Sequence, residues 1–256
     1  MAFFDCNFFS ETLALCVSAH VILPQSQTAR RRLHPTLFLL HGLSDDHTMW
    51  TRRTSIERYA IERNLAVIMP AVGRSFYQDT AGGARYWKFL SEELPAVMRS
   101  FFPLSEKRAD NFAAGLSMGG YGALRLALSH PDKFAAVASF SGALDYVHRL
   151  RESGKPRSRI SKAEWNFIAG PASDAEGSAS DLFHLAKRAA SRRGPKPVVW
   201  LGCGTEDDII GDTRAFHRHL DSLGWKHHSE ESPGVHDWAY WDAQIQRAIT
   251  WLPIRT

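Results

Sequence analysis

Ser117 lies at the centre of a glycine-rich pentapeptide that is typical of serine nucleophiles. Residues 115–119 read G-L-S-M-G and fit the pattern G-x-S-x-G. An apolar run precedes them and an Ala/Leu-rich run follows, so the serine is predicted to occupy a tight turn from a strand into a helix. Such a turn exposes Oγ next to the free N–H groups of the helix N-terminus. A capping serine in a glycine-rich turn is the alternative interpretation.

His236 is the candidate base for this serine. A serine hydroxyl is a weak nucleophile, so the pattern predicts a carboxylate and then a histidine later in the chain. His236 lies in the loop S-P-G-V-H-D-W, just before the last predicted helix. Other downstream histidines lie in a predicted helix, an edge strand or an insertion: His184, His217, His219, His227 and His228. A loop histidine that caps the final helix is the alternative interpretation.

Three neighbouring carboxylates follow a late apolar run at 198–202: Glu206, Asp207 and Asp208. One of them would accept a hydrogen bond from the imidazole, fix its tautomer and stabilise the imidazolium. We predict Asp207 for this role and keep Asp208 as the alternative.

Two backbone N–H groups are needed to stabilise an oxyanion in this architecture. The residue after the nucleophile, Met118, would supply the first. The loop H-G-L-S-D-D after the apolar run at 36–41 would supply the second, which we assign to Leu43. Trp50 and Trp238 lie close in sequence to these loops and are predicted to contact substrate.

The elements that must position these residues alternate between strands and helices. Short apolar runs predict strands at 36–41, 65–70, 111–116, 134–140 and 198–202, with an edge strand at 226–231. Helical spacing marks 54–63, 84–101, 118–130, 212–223 and 237–251. This alternation predicts an α/β fold with a mainly parallel sheet and helices on both faces.

The N-terminal residues are predicted to extend this sheet, and a long middle segment is predicted to cover part of it. Residues 3–9 and 12–23 are predicted to pair as an antiparallel N-terminal edge. Residues 142–195 are too long for a plain crossover and are predicted to form a cap-like insertion with short helices over the active site. No linker separates two units, so the prediction is a single domain over 1–256.

Composition excludes several classes of protein. The 256 residues are 44% hydrophobic and 23% charged, which is ordinary for a globular chain, and the net charge of +4 is too small and unclustered for a nucleic-acid reader. No apolar run approaches the roughly 18 residues of a membrane span. Three cysteines without C-x-x-C spacing argue against a disulfide framework or a zinc site. The N-terminus lacks a basic signal-peptide region, so we predict a cytoplasmic protein without a metal, a nucleic-acid partner or a membrane partner.

Several longer segments resemble one known family. They are residues 40–44 (LHGLS), 69–77 (MPAVGRSFY), 89–95 (FLSEELP), 114–124 (AGLSMGGYGAL) and 203–207 (CGTED). The chain resembles the esterase D group of α/β-hydrolases, and within it the bacterial tributyrin-type acetyl esterases. This resemblance implies an α/β-hydrolase fold and hydrolysis of short-chain (acetyl to butyryl) esters, small molecules, without a cofactor. The implied roles are Ser117 as nucleophile, Asp207 as acid, His236 as base, and Leu43 and Met118 as oxyanion donors.

The sequence also leaves alternatives open. Asp208 stands where the group has an aromatic or apolar residue after the acid. S-formylglutathione hydrolases belong to the same group but carry a cysteine in the loop that here holds Leu43 to Asp46. A thioesterase or acyltransferase would use the same triad, whereas a non-catalytic receptor on this scaffold would lack one of its members. The basic segment 149–162 either attracts an anionic substrate or forms a solvated face. A homo-oligomer is compatible with the sequence.

Overall fold

A single sheet runs through the molecule, for which a computed structural model describes residues 1–25, 33–155 and 159–254. Its strands are β1 (Ala2–Ser10), β2 (Leu15–Leu23), β3 (Thr36–Leu40), β4 (Ala66–Pro70), β5 (Asn111–Leu116), β6 (Ala136–Phe140), β7 (Val198–Gly204) and β8 (His227–Ser232). Their order across the sheet is β1-β2-β4-β3-β5-β6-β7-β8. The pairs β1–β2 and β2–β4 are antiparallel, and all neighbouring pairs from β4 to β8 are parallel.

Continuous apolar sequence explains the central strands. Every residue of β3, β4, β5 and β6 is buried, as expected for parallel strands that are covered on both faces. The predicted parallel sheet with an antiparallel N-terminal edge is therefore confirmed.

Helices cover both faces of the sheet. They are α1 (Met49–Arg53), α2 (Ile56–Glu62), α3 (Tyr86–Lys88), α4 (Leu94–Phe101), α5 (Met118–Ser129), α6 (Tyr146–Arg151), α7 (Lys162–Ala169), α8 (Ala172–Ala175), α9 (Leu182–Ser191), α10 (Ile210–Ser222) and α11 (Trp238–Trp251). The apolar core on one face includes side chains of α4, α5, α9 and α10, and the core on the other includes side chains of α1, α2 and α11. No helix in the described ranges is both long and apolar enough to cross a lipid bilayer.

The helix predicted at about 54–63 is present as α2, which runs from Ile56 to Glu62. A separate short helix that was not predicted, α1, ends just before it. The Thr54 backbone is extended, with φ −135° and ψ 169°, which ends α1. Its hydroxyl donates to the Trp50 carbonyl at 2.5 Å and accepts from the Ile56 N–H at 3.2 Å. A threonine side chain that bonds to the local backbone in this way competes with helical hydrogen bonding.

The segment 142–195 is anchored to the rest of the molecule by buried aromatic rings. Tyr146 and Trp165 of this segment pack against Phe76 and Tyr121 from outside it. The ring centroids of Phe76 and Trp165 lie 5.0 Å apart, and those of Tyr121 and Tyr146 lie 5.1 Å apart. All four side chains are buried, so these rings fix the segment to the core of the molecule.

The sheet has a switch point between β3 and β5. From β3 the chain moves outwards to β4, and β5 then pairs with the opposite side of β3. In open α/β sheets, ligands bind in the crevice at the carboxyl ends of the strands at such a point. The loop after β3 and the turn after β5 flank this crevice.

Candidate active site

Ser117 occupies a strained turn between β5 and α5. Its φ of 51° and ψ of −115° lie outside the regions that residues with a Cβ normally adopt. The flanking glycines permit this turn: a Cβ on Gly115 would lie 2.4 Å from the Gly119 backbone, and one on Gly119 would lie 2.3 Å from the Leu40 carbonyl oxygen. The Ser117 N–H donates to the Phe140 carbonyl at 2.9 Å. The turn is therefore clamped between the ends of β3 and β6.

Ser117, His236 and Asp207 form a continuous hydrogen-bonded chain. Nε2 of His236 lies 3.1 Å from Oγ of Ser117, and its Nδ1 lies 2.9 Å from Oδ2 of Asp207. An ionised carboxylate only accepts hydrogen bonds, so the Nδ1–H donates to Asp207 and Nε2 is left to accept from the serine. The Asp207 side chain is fully buried, whereas 12% of the His236 side chain is exposed.

The Asp207 carboxylate is held in its ionised form. Burial alone would raise its pKa, but hydrogen bonds from His236, the Ile209 N–H and Ser141 hold the pKa below the ordinary value. The Ile209 N–H donates to Oδ1 at 2.9 Å. Asp207 is thus a permanent acceptor for the imidazole near neutral pH.

The three consecutive carboxylates have three different environments. Asp207 contacts His236, whereas Asp208 is exposed. Glu206 holds the loop that carries His236, because its Oε2 accepts from the Gly234 N–H at 2.8 Å and its own N–H donates to the Gly234 carbonyl at 3.1 Å. The geometry therefore joins Asp207, and not Asp208, to the histidine.

Ser141 and Trp241 support the hydrogen-bonded residues His236 and Asp207, and the sequence patterns predicted neither of these two roles. Trp241 Nε1 donates to Ser141 Oγ at 3.1 Å, and its ring stands perpendicular to the His236 ring at a centroid distance of 4.9 Å. Ser141 is fully buried, has a φ of 46° and also bonds to Asp207. Only their positions in the sequence could have marked them: Ser141 directly follows β6, and Trp241 lies one turn into the helix after His236.

The two predicted oxyanion donors lie in neighbouring backbone segments. Met118 begins α5, and the close approach of Gly119 to the Leu40 carbonyl brings this helix start against the loop that contains Leu43. In the described part of the chain, neither the Leu43 N–H nor the Met118 N–H donates to another residue. Neither N–H group is thus used by the described part of the protein, as the proposed role of oxyanion donor requires.

His41 fixes the direction of the Leu43 N–H. Its Nδ1 donates to the Gly42 carbonyl at 2.7 Å, and its Nε2 accepts from the Val72 N–H at 3.1 Å. The Gly42 carbonyl and the Leu43 N–H belong to one planar peptide unit and point in opposite directions. The Tyr77 hydroxyl adds a further bond, donating to the His41 carbonyl at 2.9 Å.

Burial keeps His41 neutral. Its removal from solvent lowers its pKa from 6.5 to about 4, although the bond to Gly42 and the charge of Asp46 oppose this change. The unfolded chain therefore binds a proton at this position between pH 6.5 and about 4, whereas the folded protein does not. The contribution of His41 to the free energy of unfolding, about 3 kcal/mol, is fully present above pH 6.5 and is lost as the pH falls towards 4.

This linkage predicts a measurable pH dependence. We expect the free energy of unfolding of His41→Gln to decline less steeply between pH 7 and pH 4 than that of the unsubstituted protein, because Gln does not titrate. Urea denaturation at several pH values measures both slopes. The exposed His148 provides the control, since His148→Gln should keep the original slope. Equal slopes for His41→Gln and the unsubstituted protein would contradict the assignment.

The two predicted substrate-contacting tryptophans differ in environment. The prediction for Trp50 is wrong, because its side chain is fully buried and its Nε1 donates to the Leu40 carbonyl at 3.1 Å. It supports the end of β3 from inside the core. Trp238 is half-buried, with its ring perpendicular to Trp50 at 5.1 Å and to Trp241 at 5.4 Å.

The basic segment 149–162 carries less free charge than its sequence suggests. Three of its cations are paired with carboxylates: Arg149 with Asp212 at 2.7 Å, Arg151 with Glu176, and Lys155 with Glu152 at 2.5 Å. Arg157 lies outside the described residues. These pairs favour a solvated structural face over a field that attracts anionic substrates.

Comparison with known proteins identifies the family of this chain. Residues 10–252 match the model of the Esterase family. The acetyl esterase of Caldicellulosiruptor saccharolyticus is 30% identical, with 98% of each chain aligned. Two solved structures from Staphylococcus aureus are each 38% identical and cover 98% of both chains. They are the fluorophosphonate-binding serine hydrolase FphF, with a TM-score of 0.90, and the S-formylglutathione hydrolase FrmB, with a TM-score of 0.87.

The family match, the full-length relative and the shared architecture all lead to one assignment. The mostly parallel sheet with antiparallel N-terminal strands is that of the α/β-hydrolase fold. The chain belongs to the Esterase family and is a serine carboxylic ester hydrolase.

Proposed function

We propose that this protein hydrolyses short-chain carboxylic esters through an acyl-enzyme, with Ser117 as nucleophile, His236 as base and Asp207 as the orienting acid. The observation that carries the proposal is the unbroken chain of hydrogen bonds, 3.1 Å from serine to histidine and 2.9 Å from histidine to aspartate. This arrangement is the one that nucleophilic acyl transfer requires.

In the first half of the reaction, Ser117 Oγ attacks the ester carbonyl carbon and its proton passes to His236 Nε2. The carbonyl electrons move to oxygen and give a tetrahedral oxyanion, while Asp207 stabilises the imidazolium. When the oxyanion collapses, the C–O bond to the alcohol breaks and His236 protonates the leaving oxygen. Water then repeats both steps on the acyl-enzyme and releases the carboxylic acid.

The oxyanion would accept hydrogen bonds from the Leu43 and Met118 N–H groups. Each donor of this kind contributes roughly 3–4 kcal/mol to transition-state stabilisation. The bonds that His41 and Tyr77 make to the Leu43 loop hold that donor in place before substrate arrives. Such preorganisation supports the proposed role because the loop need not rearrange during the reaction.

A preference for short acyl chains is supported by the way the segment 142–195 begins. The Ala143 N–H donates to the Ser117 carbonyl at 3.0 Å, so the segment starts against the nucleophile turn. The buried aromatic rings described above anchor its helices, which argues for a fixed wall rather than an open groove. The acetyl esterase relative points in the same direction.

We expect kcat/KM towards 4-nitrophenyl esters to peak between acetyl and butyryl and to fall steeply by octanoyl. In an open groove each added methylene would improve binding by up to about 0.8 kcal/mol. Against a fixed wall, overpacking costs about 1–3 kcal/mol instead. The test is the acyl series from C2 to C12, kept below the micelle concentrations of the substrates. A profile that still rises at C8 would overturn the short-chain proposal.

Trp238, which lies two residues after His236 at the start of α11, offers a second test of the acyl site. If its half-buried ring bounds the acyl site, Trp238→Ala should shift the optimum to longer chains. Trp251, at the far end of the same helix, packs on Trp200 at 5.4 Å, so Trp251→Ala should leave the profile unchanged.

A thioester substrate is the second candidate, because the solved FrmB structure at 38% identity is an S-formylglutathione hydrolase. Here the loop carries Asp45, whose half-buried carboxylate accepts from the Gly42 N–H at 3.1 Å. Glutathione itself bears two carboxylates, so a fixed negative charge at this loop disfavours it. We therefore expect a higher kcat/KM for 4-nitrophenyl acetate than for S-formylglutathione. The reverse ranking would identify the protein as a thioesterase.

A further inference from the structure

Asp5, His20 and His47 converge at the antiparallel edge of the sheet, and none of them is part of the hydrogen-bonded chain of Ser117, His236 and Asp207. One ligand atom from each of these side chains lies within 4.8 Å of the other two. We propose that the three residues bind a divalent transition-metal ion, and that Zn²⁺ matches them best. These three residues have no role in the reaction assigned above, and their spacing in the sequence matches no cysteine or histidine motif.

The site combines a cross-strand pair with a loop residue. Asp5 of β1 and His20 of β2 stand directly opposite each other in the antiparallel register, which places their side chains on one face. His47 approaches from the loop after β3: its Nε2 lies 3.9 Å from Asp5 Oδ1, and its ring stands at 82° to the His20 ring with centroids 4.7 Å apart. Three separate chain segments therefore direct ligand groups to one point.

The hydrogen bonds around His20 leave one nitrogen ready for a metal. Its Nδ1 lies 3.2 Å from the Thr51 hydroxyl oxygen, and that hydroxyl donates its own hydrogen to the Thr48 carbonyl at 2.7 Å. Thr51 must then accept from the His20 Nδ1–H, which leaves a lone pair on Nε2. Metal-binding histidines are oriented by a bond of this kind from the second ring nitrogen.

His47 presents its other ring nitrogen, Nε2, to the cluster, 3.9 Å from Asp5 Oδ1. Its Nδ1 is buried and has no hydrogen-bond partner among the described residues. Because no described residue bonds to Nδ1, the ring proton can reside there, which leaves the lone pair of Nε2 for a metal ion. The structure leaves both rings with nitrogen capacity that the protein itself does not use.

The ligand set suits Zn²⁺. Two imidazoles and one carboxylate are typical ligands of this ion, which binds three protein groups and a water in open tetrahedral sites. Bonds of about 2.1 Å put tetrahedral ligand atoms about 3.4 Å apart. Ligand atoms already within 4.8 Å need only a modest side-chain adjustment to reach that spacing.

A second cluster in the described residues serves as an internal comparison. His217, Asp221 and His227 also lie close together, but His217 Nδ1 and His227 Nε2 are hydrogen-bonded to each other at 2.7 Å. The other nitrogen of His227 bonds to the Trp225 carbonyl at 2.7 Å. A metal would have to break the bond between the two rings, so this cluster is already satisfied.

Occupancy of the proposed site would cross-link the N-terminal hairpin to the loop after β3. A ligand that binds only the folded state stabilises it in proportion to the logarithm of its concentration. At a free concentration about 100 times Kd, the melting temperature should rise by roughly 5 °C for a chain of this size.

The test measures metal binding directly. All proteins carry Cys16→Ser, because the exposed Cys16 thiol would itself bind Zn²⁺. Isothermal titration with Zn²⁺, the visible spectrum with Co²⁺, and the Tm with and without Zn²⁺ are compared for the parent, His47→Phe, Asp5→Asn and His217→Gln. His47→Phe keeps the ring packing against His20 but removes the ligand nitrogens, and the metal-free Tm of each variant shows that it folds.

We expect one high-affinity site in the parent, a tetrahedral Co²⁺ spectrum and the rise in Tm. His47→Phe and Asp5→Asn should weaken binding at least tenfold and lose the rise, whereas His217→Gln should behave like the parent. Absence of uptake by the parent would overturn the proposal. Uptake that survives His47→Phe, or that His217→Gln abolishes, would overturn it equally.

Discussion

Ser117→Ala should leave a folded protein whose esterase kcat/KM is reduced by roughly 10³-fold or more. The substitution removes only the hydroxyl, so the turn with φ of 51° and its bond to the Phe140 carbonyl are preserved. Without Oγ no acyl-enzyme forms, and any remaining rate reflects the oxyanion donors and substrate binding. Steady-state hydrolysis of 4-nitrophenyl acetate measures the loss, and circular dichroism checks the fold.

A serine elsewhere on the same helix provides the matched control. Ser129 ends α5, so Ser129→Ala removes a hydroxyl from the helix without touching the turn. We expect this variant to keep its activity. If Ser117→Ala retained even a tenth of the normal turnover, Ser117 would not be the nucleophile.

Asp207→Asn should lower kcat by roughly 10³–10⁴-fold, whereas Asp208→Asn should have little effect. An amide at position 207 cannot stabilise the imidazolium, and its NH₂ group favours the tautomer with the proton on Nε2, which then cannot accept from Ser117. Asp208 is exposed, so its replacement leaves the hydrogen-bonded chain intact. Both variants replace Asp by the isosteric Asn, and the two positions are adjacent. The ratio of their kcat values is therefore a stringent comparison.

The reverse ranking of these two variants would move the acid to Asp208. Glu206→Gln tests whether Glu206 only holds the loop that carries His236. The amide oxygen of Gln still accepts from the Gly234 N–H, so this loop should stay in place. We therefore expect its activity to lie much closer to that of Asp208→Asn than to that of Asp207→Asn.

Much of the fold could be predicted because buried parallel strands have continuous apolar sequences. The strand at 111–116 and the helix that follows it matched the sequence pattern at the nucleophile turn. The chain order serine, acid, histidine that is typical of this fold singled out His236 as the candidate base, and the structure places it within 3.1 Å of Ser117 Oγ. A cytoplasmic location stays a prediction from the cysteine usage and the N-terminal sequence.

Features that depend on three-dimensional packing could not be predicted in the same way. Proximity in sequence to the oxyanion loop suggested that Trp50 contacts substrate, but α1 directs this side chain into the core. The bond between Trp241 and Ser141 joins α11 to the end of β6, which no local pattern encodes. The ligands of the proposed metal site come from β1, β2 and a loop, so their spacing in the sequence resembles no metal motif.

Covalent labelling tests the central claim of a Ser117 acyl-enzyme most directly. The protein is incubated with a fluorophosphonate, which reacts with activated serines, and the adduct is measured by intact mass and located by peptide mapping. We predict one adduct per chain, on Ser117, which is absent in Ser117→Ala and strongly slowed in Asp207→Asn. An adduct on another serine, or none at saturating reagent, would contradict the account.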